Sequence, residues 1–195
     1  MELLQSTLTA LQLLWAGDAA LWSAIYISIK VCLLALLIAS PPAVLLGFVL
    51  ASYRFPGRRV LIVAVQTLLA LPTVVIGLIL YMLLSRQGPL GGMQLLFTQQ
   101  AMVIGEAVLA FPILAALTLA AVQSADSRVA ETARTLGAGR LRTAITVLLE
   151  VRFAIIAAMI SGFGRVISEV GCVMMVGGNI AGATRNITTA IALET

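Results

Sequence analysis

The 195-residue chain is 61% hydrophobic and 10% charged, with a mean hydropathy of +1.10. Ordinary soluble domains carry roughly 25% charged residues, so 8 acidic and 12 basic side chains are too few to clothe a water-facing surface of this size, and lipid is the solvent that fits. The net charge of +4 comes from arginines gathered in two short loops between apolar stretches, a distribution that argues against nucleic acid as a partner.

Residue types narrow the chemistry further. The chain has no histidine, so the usual zinc ligand and the commonest general base are missing, and no metal-ligating set is predicted. Cys32 and Cys172 both fall in apolar segments and read as small packing residues. The first basic residue is Lys30, so no positive n-region of a cleavable signal peptide is evident.

In chain order, residues 1–20 form an expected interfacial segment. Leu3, Leu4, Leu8, Leu11, Leu14 and Trp15 recur at amphipathic helical spacing, and Asp18 is placed to cap the helix that follows. The first strong span runs from Val31 to Ala51, with Pro41 and Pro42 expected to kink or break it and Lys30 expected to snorkel from its edge. The second covers Val60 to Leu84 with Gln66 and Pro72 inside, and the third Ala101 to Val122 with Glu106 and Pro112 inside. A fourth, weaker span starts near Phe153 and stays apolar to Gly164, where Ser161, Gly162 and Gly164 supply a small surface for close helix approach.

The loops set an expected direction. Arg54, Arg58 and Arg59 lie between spans one and two, and Arg128, Arg134, Arg140, Arg142 and Arg152 between spans three and four. The loop between spans two and three carries only Arg86. Basic loops stay inside, which places both Arg-rich loops in the cytoplasm and the N-terminus outside.

The segment 123–152 is predicted to be a helix–turn–helix elbow beneath the membrane. Asp126 or Ser127 can cap a short helix bearing Val129, Ala133 and Leu136 on one face, and Gly137-Ala138-Gly139 breaks it. A second helix then carries Leu141, Ile145, Leu148 and Leu149 as its apolar face. On pattern alone this reads equally well as a loop packed on its own protein.

Three polar features inside apolar sequence stand out. Arg165 and Glu169 are four apart, which suits either a self-neutralised pair at a helix contact or a pore-facing arginine. Glu106 reads as a structural or gating partner for Arg165 or Lys30. The segment from Gly177, Gly178 and Asn179 to Thr184, Arg185 and Asn186 is glycine-rich and expected on the outer side, either cradling an anion with backbone N–H groups or serving as an ordinary external loop. The two intramembrane acids, Glu106 and Glu169, read as isolated on different spans, so paired-carboxylate catalysis is not expected and no catalytic residue is assigned.

Glu131-Thr132-Ala133-Arg134-Thr135-Leu136-Gly137, followed after nine residues by Val147-Leu148-Leu149, resembles the EAA loop of ABC-importer permeases. Thr132 replaces the middle alanine, and Glu150 stands where proline is usual. The runs Gly162–Gly171, Met174–Ile180, Thr188–Thr195 and Leu71–Gly77 resemble the tungstate-type permeases of the tungstate/molybdate importer group. The resemblance implies an all-α polytopic membrane protein of the type I ABC-importer permease fold, with about four to five transmembrane helices in one domain over 1–195. It also implies a homodimer in the bacterial inner membrane, a cytoplasmic ATP-binding cassette subunit docking on Glu131, Thr132, Ala133, Arg134, Leu136, Gly137, Ala138 and Gly139, and a periplasmic or extracellular oxyanion-binding protein. ATP would be held by that partner subunit, with no cofactor on this chain. Permeases of the group continue past the Ala-Leu-Glu-Thr run into a further helix, and the last family helix is expected to be missing here.

Overall fold

A computed structural model describes Trp15 and residues 17–194. The amphipathic stretch expected at the N-terminus lies almost wholly outside the described residues. All regular structure among the described residues is helical, in keeping with the apolar spans read from the sequence.

Helix α1, Ala19–Ser52, is 34 residues long and holds a single charged residue, Lys30. Asp18 caps it, its Oδ1 accepting the Leu21 N–H at 2.9 Å. At 1.5 Å per residue the helix extends about 51 Å, more than the hydrocarbon core requires. It runs unbroken through Pro41 and Pro42, where a kink or break was expected. In lipid the alternative to a helix is a set of unsatisfied backbone groups, so helices persist through proline.

The second expected span is instead two helices, α2, Arg58–Ala70, and α3, Thr73–Leu84, bent by 99° at their junction. The break falls on Leu71 and Pro72, both extended, as the clash of a proline ring with the preceding residue favours. A 3₁₀ turn at Gly91–Met93 follows, and then α4, Gln99–Ser124, which carries Pro112 without interruption. Helices α1 and α4 are each long and apolar enough to cross a membrane.

The elbow is formed by α5, Ser127–Thr135, and α6, Arg140–Glu150; α7, Arg152–Ile167, bends away from α6 by 65°. Helix α7 has 16 residues, more than the apolar run to Gly164 indicated. Short helices α8, Gly171–Gly177, and α9, Ile187–Glu194, complete the described chain.

Contacts divide the chain into two compact units, and α1 and α4 each give one part to each. The first unit holds the described residues up to Leu34, Pro72–Glu106 and the described residues from Ile167 onward. Ile27, Val31, Leu84, Ala101, Met102, Val173 and Val176 form its core. The second holds Ala35–Leu71 and Ala107–Val166, with Phe48, Ala121, Val122 and Val151 buried together. There Gly162 lies against the side chains of Leu36 and Leu114, the small-residue contact the sequence suggested, whereas Ser161 and Gly164 are exposed.

Candidate functional site

The elbow is built in the second unit by local rules. Asp126, not Ser127, is the cap: its Oδ1 accepts the Arg128 N–H at 2.9 Å, which satisfies one orphan donor of α5. The helix ends in a Schellman turn. Gly137 stands at φ 84°, its N–H bonds the Arg134 carbonyl, and the Ala138 N–H bonds the Ala133 carbonyl at 2.9 Å. A side chain at 137 would be strained in that left-handed conformation.

The apolar faces match those expected in part: Val129, Ala133 and Leu148 are half-buried. Leu136 and Leu141, on either side of the turn, are 82% and 75% exposed, and Ile145 and Leu149 also face outward. The inward face of α6 is Thr143, Ala144, Val147 and Leu148, and the last three pack near Phe48 and Val151. The error lies in the phase of the helix. Both stripes are apolar, and only the packing against Phe48 and Val122 chooses which turns in. Glu131, Thr132, Arg134, Gly137 and Gly139 are exposed, while Ala133 and Ala138 are half-buried where the two short helices meet. A groove of about 1130 Å³ runs under the elbow, with Tyr53, Arg54, Arg134 and Arg140 on its walls.

Of the other candidates, Arg165 belongs to the second unit and the rest to the first. Helix α7 ends at Ile167, so Glu169 lies beyond it and the i, i+4 spacing does not place it on one helix face with Arg165. Arg165 is exposed in the last turn of α7. Glu169 is buried; its Oε1 accepts the Cys172 N–H at 3.2 Å, and its backbone carbonyl accepts the Thr188 hydroxyl at 2.9 Å. Glu106, 1% exposed, is hydrogen-bonded by the Cys32 thiol, and Lys30 is not its partner. Glu106 and Glu169 also lie close enough to interact electrostatically, so the two acids the sequence placed apart share one buried neighbourhood.

The glycine-rich segment is tightly stapled. Thr184, buried, donates its hydroxyl to the Gly177 carbonyl at 2.6 Å and accepts the Ile180 N–H at 2.9 Å. Gly178 and Asn179 adopt φ of 70° and 50°, and the Asn179 amide donates to the Thr189 carbonyl at 3.1 Å. The N–H groups of Gly178, Ala183, Thr184 and Arg185 all bond carbonyls of their own neighbourhood. Those donors are spent, and the buried side-chain atoms of the segment left without a partner are Asn179 Oδ1, an acceptor, and Arg185 Nε, a donor.

Two residues that the sequence left outside the site reach the same segment. The Lys30 ammonium donates to Gln99 Oε1 at 2.9 Å, and the Gln99 amide donates to the Ala183 carbonyl at 2.8 Å. Lys30, expected to snorkel, is exposed and makes this bond at the protein surface. A sequence signal existed: Lys30 is the sole lysine of the chain, set in an apolar helix.

Residues 43–192 match the family of binding-protein-dependent transport system inner membrane components. The chain belongs to that family. This transport component is 39% identical to the tungstate uptake system permease protein TupB of Peptoclostridium acidaminophilum over 94% of its own length and 81% of the relative's. It is also 39% identical to the TupB of Campylobacter jejuni subsp. jejuni, across 95% of this chain and 78% of that protein. The molybdenum transport system permease protein ModB of Escherichia coli K12 is 32% identical over 87% of this chain and 78% of its own. The family and its apolar helices make this a multi-pass membrane protein.

Proposed function

We propose that this chain is the membrane-spanning subunit of an ATP-driven oxyanion importer, with tungstate as its substrate. Two copies form the translocation path in a bacterial inner membrane, with the N-termini outside and the Arg-rich loops in the cytoplasm. An external binding protein delivers the anion, and a cytoplasmic ATPase subunit docks on the elbow from Glu131 to Gly139. The chain performs no covalent chemistry; it converts movement of the elbow into opening and closing of the path.

The observation that carries this reading is the tip of the elbow. A rigid Schellman turn holds two exposed leucines, Leu136 and Leu141, on a surface flanked by Arg134 and Arg140. Apolar residues fixed at a polar tip lose free energy in water and gain it in a partner's groove. Arg185, with its unpaired Nε, is the oxyanion contact within the glycine-rich segment, and Glu169, Gly177, Gly178, Asn179 and Thr184 of the same unit frame the path.

The test is co-expression with the candidate ATPase and binding-protein subunits, followed by uptake of labelled tungstate into vesicles. ATP-dependent uptake, competed more strongly by unlabelled tungstate than by molybdate or sulfate, is expected. Preferential competition by molybdate or sulfate reassigns the substrate within the oxyanions. Assembly without uptake of any of the three rejects the importer reading.

A further inference from the structure

Lys30 is an exposed charge on an otherwise uncharged helix. It is the only charged residue in the 34 of α1, and the other eleven basic residues of the chain are arginines. Lys30 is exposed just before the apolar run that begins at Val31, where a cation is retained for a polar partner. The protein partners of Lys30 are neutral. Its ammonium bonds Gln99 Oε1 at 2.9 Å and lies 5.8 Å from the centre of the Tyr26 ring. Neither partner removes the positive charge, and an ammonium has three donors of which the amide oxygen takes one.

The position of that charge is set by a relay. Gln99, at the start of α4, accepts from Lys30 and donates to the Ala183 carbonyl at 2.8 Å, two residues before Arg185. One turn of α1 is tied to the same segment again, because Ser28 Oγ accepts the Ile187 N–H at 2.9 Å. The first unit therefore fixes a lysine with spare donors to the loop that carries an arginine whose Nε lacks an acceptor. Two cations with unfilled donor capacity beside one loop are complementary to a ligand with several acceptor oxygens and negative charge.

We infer that Lys30, oriented by Gln99, contacts the transported oxyanion together with Arg185. The inference rests on the importer reading and extends it to a residue on a different helix. Gln99 is a positioning residue: it fixes the ammonium, and its own side chain is consumed between Lys30 and Ala183.

The experiment uses the complex assembled with its ATPase and binding-protein subunits, reconstituted in vesicles. Lys30→Gln keeps a hydrogen-bonding side chain and removes the charge; it is expected to raise KM for tungstate uptake at least ten-fold in a complex that still assembles with its subunits. Lys30→Arg keeps the charge and is expected to stay within about three-fold of wild type. An unchanged KM in Lys30→Gln, or equal loss in both variants, overturns the inference. A second readout needs no mutation. As Lys30 is the sole lysine, acylation of wild-type side-chain amines followed by mass spectrometry reports it alone, and tungstate should slow that modification. Equal labelling with and without tungstate in a complex that transports it counts against Lys30 and leaves the importer reading standing. A wild-type complex that transports no oxyanion overturns both together.

Discussion

Gly77 of α3 lies against Cys172 of α8 so closely that a Cβ at position 77 would stand 2.8 Å from the Cys172 Cα and 3.2 Å from the Met175 Cβ. The nearest of those atoms belongs to backbone and cannot rotate away. Gly77→Ala gains up to about 1 kcal/mol of helix propensity but must force the two helices apart, an overpacking cost of about 1–3 kcal/mol. A net loss of stability is expected, read as a lower melting temperature of the detergent-solubilised protein. A raised melting temperature would show that α3 and α8 do not meet this closely.

The elbow separates residues that hold it from residues that it presents. Leu136→Asp and Leu141→Asp change exposed side chains, so folding should be unaffected while recovery of the ATPase subunit in a pull-down falls more than ten-fold. Val147→Asp sets a charge among Phe48, Val122 and Val151, and the protein itself should be lost from the membrane fraction. If the two leucine variants retain the ATPase fully, the tip is not the docking surface.

That contrast also marks what the sequence could and could not disclose. Span length and arginine placement made the apolar helices and the elbow legible, because hydrocarbon thickness and helix breakers act on local sequence. The phase of α6 was only partly legible: of the expected face Leu148 turns inward beside Ala144 and Val147, whereas Leu141, Ile145 and Leu149 are exposed, and contacts far along the chain decide between them. Proline was ambiguous for a related reason. The helix continues through Pro41 and Pro42 yet breaks at Pro72, where the bend lets α3 pack Gly77 against Cys172. The neighbourhood of Glu106 and Glu169, and the relay from Lys30 through Gln99 to Ala183, join residues 63 to 84 positions apart, beyond any periodicity.

Thr184 is predicted to act through its hydroxyl as a staple, independent of any anion. Thr184→Val keeps the shape and leaves the Gly177 carbonyl and the Ile180 N–H without their partner, at about 1–3 kcal/mol for each group left unsatisfied. The melting temperature should fall, and uptake should fall with it as the loop bearing Arg185 loosens. Thr184→Ser restores both bonds and should recover most of the loss. A Thr184→Val protein as stable as wild type would remove the staple from the account.

The start of α9 is held from two sides, and this makes its energetics non-additive. Asn186 Oδ1 accepts the Thr189 N–H at 2.8 Å, and Thr189 Oγ accepts the Asn186 N–H at 3.0 Å, a reciprocal cap that binds the first turn to itself. Ser28 Oγ then ties the same turn to α1 through the Ile187 N–H. Asn186→Ala should cost about 1–2 kcal/mol as a lost cap. Ser28→Ala should cost about 1–3 kcal/mol, because it leaves a donor on a half-buried residue unpaired. Once either anchor is gone the turn can fray, so the second loss acts on a segment already loosened. The double variant should be less destabilised than the sum of the singles by at least 0.5 kcal/mol, the coupling expected of residues sharing one turn. Strict additivity in a double-mutant cycle would mean that the two anchors hold independent parts of the chain.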